Sequence, residues 1–121
     1  MNNFQLSENF NLREFQCKCG CETVKASSEL VAKLQQLRDT VGKPLVITSG
    51  YRCPEHNKKV GGVSDSYHTK GMAADVACPT GYTVEEFAKL CQNIGFTGVG
   101  AYPDKFFVHV DVRPGNPVRF Q

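Results

Sequence analysis

The longest amphipathic pattern in the chain predicts a helix from Ser27 or Ser28 to about Val41. The apolar positions that repeat at helical spacing are Leu30, Val31, Leu34, Leu37 and Val41. Either serine can cap the first turn, and Gly42 marks the end. This stripe indicates a helix that packs on the core, with little room for a functional role.

Two further helices follow from end signals. Thr83 and Glu86 form a capping-box pattern that opens a helix to about Asn93, before Gly95. Pro54 suits the first turn of a short helix through Lys59. Near the amino terminus, Asn11 can cap a single helical turn.

Short β-branched and alternating runs predict four strands. They cover residues 45–48, 73–77, 98–102 and 106–112. Residues 103–105 join the last two strands as a hairpin, and the tail from Arg113 to Gln121 is expected to be irregular. This order of elements predicts an α+β fold, a mostly antiparallel sheet with flanking helices.

Length and charge narrow the class of protein. The 121 residues predict one domain, 1–121, in which residues 1–26 form an N-terminal arm with a cysteine cluster. A net charge of +2 without a basic run argues against a nucleic-acid binder. No signal peptide or membrane span is apparent, so we expect no membrane partner and a chain made in the cytoplasm or freed of its leader. We also expect a monomer.

Three cysteines stand close together in the arm, at Cys17, Cys19 and Cys21. Thiolates bind zinc well, and a closed structural site usually has four ligands. The fourth would be a histidine or one of the distant cysteines, which are Cys53, Cys78 and Cys91. Disulfides to those cysteines, or free thiols, are the competing interpretations, and no connectivity follows from the sequence.

His68 and Asp75 lie seven positions apart and are the first candidates for chemistry. With His109 downstream they offer two nitrogens and one carboxylate oxygen, a plausible catalytic zinc set. The glycine and alanines between them predict a tight turn that leads into a crowded strand. The spacing alone is weak support for a metal site.

Two more side chains are candidates for a polar site. His109 and Asp111 share one face of the last predicted strand, roughly 7 Å apart. A strand histidine is, on spacing alone, more often solvated or hydrogen-bonded than a ligand. Arg52 follows the first core strand in a tight loop, where its planar fork suits a carboxylate or a surface salt bridge.

Four segments together resemble the M15 family of zinc D-Ala-D-Ala carboxypeptidases and related peptidoglycan peptidases, in its short bacterial and phage branch. The segments are Ser49-Gly50-Tyr51-Arg52, Val60-Gly61-Gly62, Ser66-Tyr67-His68-Thr69-Lys70-Gly71-Met72-Ala73-Ala74-Asp75 and His109-Val110-Asp111. The resemblance covers roughly residues 27–113 and implies a fold like that of the hedgehog amino-terminal domain. It also implies that His68, Asp75 and His109 bind zinc and that Arg52 binds a substrate carboxylate.

The resemblance implies a function at the bacterial cell wall. The expected reaction is zinc-assisted hydrolysis of peptidoglycan stem peptides, by a D,D-carboxypeptidase or by an endopeptidase of the endolysin type. The chain departs from many members at Phe106 and Phe107, where those carry a glutamate or a histidine. We therefore choose Asp111 as the general base, and a role in orienting a ligand is its equal alternative.

Two other functions stay open at this point. If the base is absent, the domain is a non-catalytic zinc-containing module that binds the cell wall. A zinc-ribbon protein for nucleic acid would use the cysteines, but the low net charge counts against it.

Overall fold

Seven strands and three α-helices are found in the part of the chain that the computed structural model describes, residues 2–63 and 66–120. In chain order they are β1 Gln5–Ser7, β2 Phe10–Asn11, α1 Ser28–Val41, β3 Ile47–Ser49, α2 Pro54–Lys59, β4 Ala73–Ala77, α3 Val84–Ile94, β5 Gly98–Tyr102, β6 Phe107–Asp111 and β7 Val118–Arg119. The capping residues match the sequence pattern. The Ser27 side chain accepts from the Leu30 N–H, and Thr83 and Glu86 form the capping box.

A five-stranded sheet in the order β3-β4-β6-β5-β7 organises the fold. The pairs β3–β4, β4–β6 and β6–β5 are antiparallel, whereas β7 runs parallel to β5. Strands β1 and β2 form a separate two-stranded sheet. The predicted α+β class with a mostly antiparallel sheet is confirmed, although the sheet is mixed at its β7 edge.

The predicted irregular tail is wrong at β7. The Val118 N–H donates to the Thr97 carbonyl at 2.7 Å, and the Phe120 N–H donates to Val99 at 3.1 Å. These bonds satisfy backbone groups along the edge of β5. A two-residue strand has no alternating pattern, so only tertiary pairing defines it.

Two strand boundaries also differ from the prediction. Strand β3 covers residues 47–49 where residues 45–48 were expected. Strand β6 covers residues 107–111 because Phe106 belongs to the preceding turn, with a φ of 57°. The turn at residues 103–105 joins β5 and β6 as the predicted hairpin.

One face of the sheet packs against α1 and α3 and forms the core. Its largest fully buried side chains include Leu30, Leu34, Leu37, Phe87, Val76, Val99, Val108 and Val110. Because side chains alternate along a strand, the residues between these valines point to the opposite face. That second face carries the polar residues discussed below.

The N-terminal arm is fixed to the loop that follows β3. Phe10 and Phe15 are buried in the core, and the Tyr51 N–H donates to the Phe15 carbonyl at 2.8 Å. Gly50 lies so close to the Phe15 backbone that a side chain at this position would clash. The arm and this loop therefore form one packed unit.

None of the helices in the described ranges has both the length and the apolar character needed to cross a membrane.

Candidate metal centre and groove

The three predicted ligands converge on the polar face of the sheet. His68 comes from a single 3₁₀ turn at residues 67–70, Asp75 from β4 and His109 from β6. Asp75 and His109 are direct partners across the two strands. One ligand atom from each of the three residues lies within 4.8 Å of the others.

The surroundings of His68 leave one ring nitrogen free for a metal. Its Nδ1 lies 2.7 Å from the Gly50 carbonyl oxygen, which only accepts, so Nδ1 carries the proton. The neutral ring then has its lone pair on Nε2. This nitrogen is buried and has no hydrogen-bond partner among the described residues, although it lies 3.2 Å from Asp75 Oδ1. A buried nitrogen without a partner is rare, and a metal ion would satisfy it.

His109 is held in the complementary way. Its Nε2 lies 2.8 Å from Asp111 Oδ2 and its Nδ1 lies 3.1 Å from Asp75 Oδ1. A proton on Nε2, donated to Asp111, leaves the Nδ1 lone pair directed toward Asp75. Two imidazole lone pairs and a carboxylate oxygen then face one another, which is the donor set of a zinc site. The residues present therefore fit zinc.

The electrostatics of the metal-free site favour a positive charge. Burial raises the pKa of Asp75, but the adjacent His109 and His68 rings outweigh burial and hold the pKa well below its usual range. Burial lowers the pKa of His109, but its hydrogen bonds to Asp111 and Asp75 raise the pKa overall. The site thus holds an ionised carboxylate and attracts a cation.

Asp111 lies beneath the site and is fully buried. Its Oδ1 accepts from Arg113 Nε at 2.8 Å, and its Oδ2 accepts from Arg113 Nη2 at 2.6 Å as well as from His109. Burial raises the pKa of Asp111, but the hydrogen bonds from Arg113 and His109 hold it well below its usual range. A Cβ added to Gly98 on β5 would overlap the Asp111 carboxyl group, so the carboxyl group fits there because Gly98 has no side chain.

Sequence reasoning missed Arg113. The residue lies two positions beyond Asp111, the spacing at which extended backbone places side chains on one face. That signal was available, but the expectation of an irregular tail after residue 112 concealed it.

Arg52, which is predicted to bind a substrate carboxylate, lies at the edge of the site. Its guanidinium donates to Ser49 Oγ at 3.3 Å, to Asn57 Oδ1 at 3.2 Å and to Asp75 Oδ2 at 3.4 Å. Asn57, which the sequence reasoning did not identify, is buried and also donates to the Val63 carbonyl at 2.6 Å. Arg52 is thus held in place while 17% of its side chain stays accessible.

An open groove of about 850 Å³ lies above the three ligands. Its walls include Arg52, Gly62, Tyr67, Tyr102, Phe107, Arg113, Val118 and Phe120. Phe107 stacks on Tyr102 with ring centroids 4.7 Å apart, whereas Phe106 is 72% exposed. Of the described residues that line the groove, only Asp75 carries a carboxylate.

A largely buried set of two histidines and one carboxylate at the floor of an open groove is characteristic of mononuclear metallohydrolases. A family-model match defines the class further. The model of the peptidase M15 family matches residues 2–111, and the chain belongs to this family. The resemblance read from the motifs is therefore confirmed.

Curated relatives of two kinds are similar to the chain. Peptidoglycan L,D-endopeptidase MepK of Escherichia coli (strain K12) is 35% identical over 92 residues, which cover 70% of this chain and 50% of that protein. Zinc D-Ala-D-Ala carboxypeptidase of Streptomyces albus G is 34% identical over 85 residues, which cover 68% of this chain and 32% of that protein. The chain thus spans half or less of the length of these relatives.

Proposed function

We propose that this chain is a zinc-dependent peptidase that hydrolyses stem peptides of peptidoglycan at the bacterial cell wall. One observation carries the proposal: a buried imidazole (His68) and a partly buried one (His109) direct lone pairs toward the Asp75 carboxylate at the floor of a groove. Membership of the peptidase M15 family supports it. The two relatives named for peptidoglycan and for D-Ala-D-Ala substrates support the substrate class.

The net charge of the three ligands suits a catalytic zinc site. His68 and His109 bind as neutral rings and Asp75 as an anion, so a bound Zn²⁺ would keep a net positive charge. The chemistry supplied by bound zinc is Lewis-acid activation of a water molecule and of a peptide carbonyl near neutral pH. The protein fixes its ligands before the metal binds, through the Gly50 carbonyl on His68 and Asp111 on His109.

For Asp111 the geometry supports a positioning role. Both of its oxygens are occupied by Arg113 and His109, and no part of the residue is exposed to the groove. A general base must reach the proton that it removes, directly or through one water molecule. We therefore propose that Asp111 fixes the His109 tautomer and that it is not the proton acceptor.

Zinc-loaded protein is expected to release new amino groups from purified peptidoglycan, and a chelator is expected to stop the release. The measurement is amine labelling with mass spectrometry of the soluble fragments, whose termini identify the cleaved bond. Returning zinc to the chelated sample should restore the products.

The rival function is a non-catalytic zinc-containing module that binds the cell wall. Among the described residues that line the groove, Asp75 is the only one with a carboxylate and is already assigned as a ligand, which favours this alternative. If zinc-loaded protein binds cell walls but releases no amines from any peptidoglycan tested, the module is correct and the peptidase proposal fails.

Arg52→Ala is expected to raise KM about tenfold to a hundredfold for stem peptides with a free carboxyl terminus, because it removes a charge-assisted hydrogen bond worth about 1.5–3 kcal/mol. Amidated peptides should show a much smaller change. The measurement is the kinetics of each peptide pair at matched zinc content. Arg13→Ala, which removes an exposed arginine elsewhere, is the matched control. An equal loss for both kinds of peptide would exclude carboxylate recognition by Arg52.

A further inference from the structure

A second cluster of metal-binding side chains lies apart from the histidine–aspartate site. The Sγ atoms of Cys17, Cys19, Cys21 and Cys53 all lie within 4.8 Å of one another. The Sγ atoms of Cys17 and Cys19 are 3.4 Å apart, and those of Cys19 and Cys53 are 3.6 Å apart. All four are free thiols in the structure, as are the two remaining cysteines, which are not part of the cluster.

The local backbone explains how three thiols so close in sequence meet at one point. In an extended strand, thiols two residues apart would be roughly 7 Å apart. Here the chain turns at residues 18–21, with Gly20 at a φ of 92° that favours glycine. The Cys17 N–H donates to the Thr23 carbonyl at 3.0 Å and closes the turn.

The fourth thiol arrives from the loop that carries Arg52. The Cys53 N–H donates to Cys17 Sγ at 3.3 Å, and the His56 N–H donates to Cys53 Sγ at 3.4 Å. Backbone N–H groups that donate hydrogen bonds to sulfur stabilise the thiolate form and fix the orientation of the ligand. The cluster therefore has both its ligands and part of their supporting hydrogen bonds.

We propose that Cys17, Cys19, Cys21 and Cys53 bind a structural zinc ion. A tetrahedral site with Zn–S bonds of about 2.3 Å has sulfur–sulfur edges of about 3.8 Å, close to the distances found here. Four thiolates in such an arrangement select zinc over harder cations such as magnesium and calcium. Four thiolates without a cation would repel one another.

This zinc would connect the arm to the groove. It would join residues 17–21 to Cys53, next to Arg52, whose guanidinium reaches Asp75. Three residues before Cys53, the Gly50 carbonyl holds the ring of His68. Because a metal that binds only the folded chain adds its binding energy to folding, the ion would stabilise this loop. The inference concerns stability and zinc content and does not depend on hydrolysis.

The test is zinc stoichiometry by elemental analysis of reduced, zinc-loaded and dialysed protein. Wild type should bind two zinc ions per chain, and the double variant Cys19→Ser/Cys21→Ser should bind one. Both substituted thiols are exposed, so their replacement opens no core cavity. His68→Ala/His109→Ala should also bind one, and Cys78→Ser, with a cysteine outside the cluster, should keep two.

A second measurement identifies the ligands. Cobalt-substituted wild type and His68→Ala/His109→Ala should both show thiolate-to-cobalt charge-transfer absorption, and Cys19→Ser/Cys21→Ser should lose it. The cysteine double variant should also unfold at a lower temperature than Cys78→Ser.

Three outcomes would overturn the proposal: a zinc content that is the same in wild type and in Cys19→Ser/Cys21→Ser, iron in place of zinc, or an intact mass showing that the four cysteines are joined as disulfides under reducing purification. These outcomes are separate from the fate of the peptidase. A wild type with two zinc ions and no hydrolysis removes only the proposed function, and an active wild type whose one zinc is kept in Cys19→Ser/Cys21→Ser removes only this inference.

Discussion

Replacing His68 with alanine is expected to remove the zinc ion from the groove and to lower peptidoglycan hydrolysis by about a thousandfold or more, since the metal's charge stabilisation is worth several kcal/mol. The Nε2 atom of His68 has no other described hydrogen-bond partner, so zinc coordination is the role that the substitution removes. Zinc content and initial rates of amine release measure the two effects. His109→Ala should give the same result, because it removes the second histidine ligand.

The chain offers a matched control in His56, a partly exposed histidine on α2 outside the ligand set. His56→Ala should keep both the zinc and the rate. Circular dichroism shows whether each variant is folded. A folded His68→Ala protein that hydrolyses cell walls at the wild-type rate would contradict the assignment of this site.

Removing the Asp111 carboxylate is expected to have the second-largest effect. Asp111→Ala leaves the partly exposed Arg113 guanidinium without its buried partner, which should lower the free energy of unfolding by about 1–3 kcal/mol. It also frees the Nε2 side of His109, and loss of such an orienting partner typically lowers metal affinity about tenfold to a hundredfold. Denaturant unfolding and zinc titration measure these two quantities.

Asp111→Asn separates positioning from base catalysis. The asparagine oxygen can still accept from His109, so kcat at saturating zinc should stay within about tenfold of wild type while zinc affinity falls. The control is Asp104→Asn, which changes an exposed aspartate in the turn between β5 and β6. A loss of kcat of a hundredfold or more at full zinc occupancy would show that Asp111 is the general base.

Much of the candidate site follows from local sequence rules. Strand alternation predicts that His109 and Asp111 share a face, and the structure has their side chains 2.8 Å apart. The motif around His68 and Asp75 contains both the turn and the crowded strand that bring them together. These features were accessible because each depends on neighbours within a few residues.

The parts that the sequence did not reveal depend on distant pairing. Arg113 takes its role from the extended backbone after β6, and β7 exists through bonds to residues 97 and 99. Cys53 could not be distinguished from Cys78 or Cys91 as the fourth thiol. The packing of Phe15 against the loop after β3 brings Cys53 to the arm, and this contact joins residues far apart in the sequence.

The two glycines of β5 bear on how a mutational scan of this protein would be interpreted. The Asp111 carboxyl group occupies the place of a Gly98 side chain, and the Phe120 ring occupies that of Gly100, beside His109. Neither glycine carries a reactive group, yet almost every substitution would displace a neighbour of the metal site. In a scan that selects for activity, both glycines would therefore tolerate as few substitutions as the metal ligands do. Only the three-dimensional structure distinguishes residues that bind the metal from glycines that leave room for its neighbours.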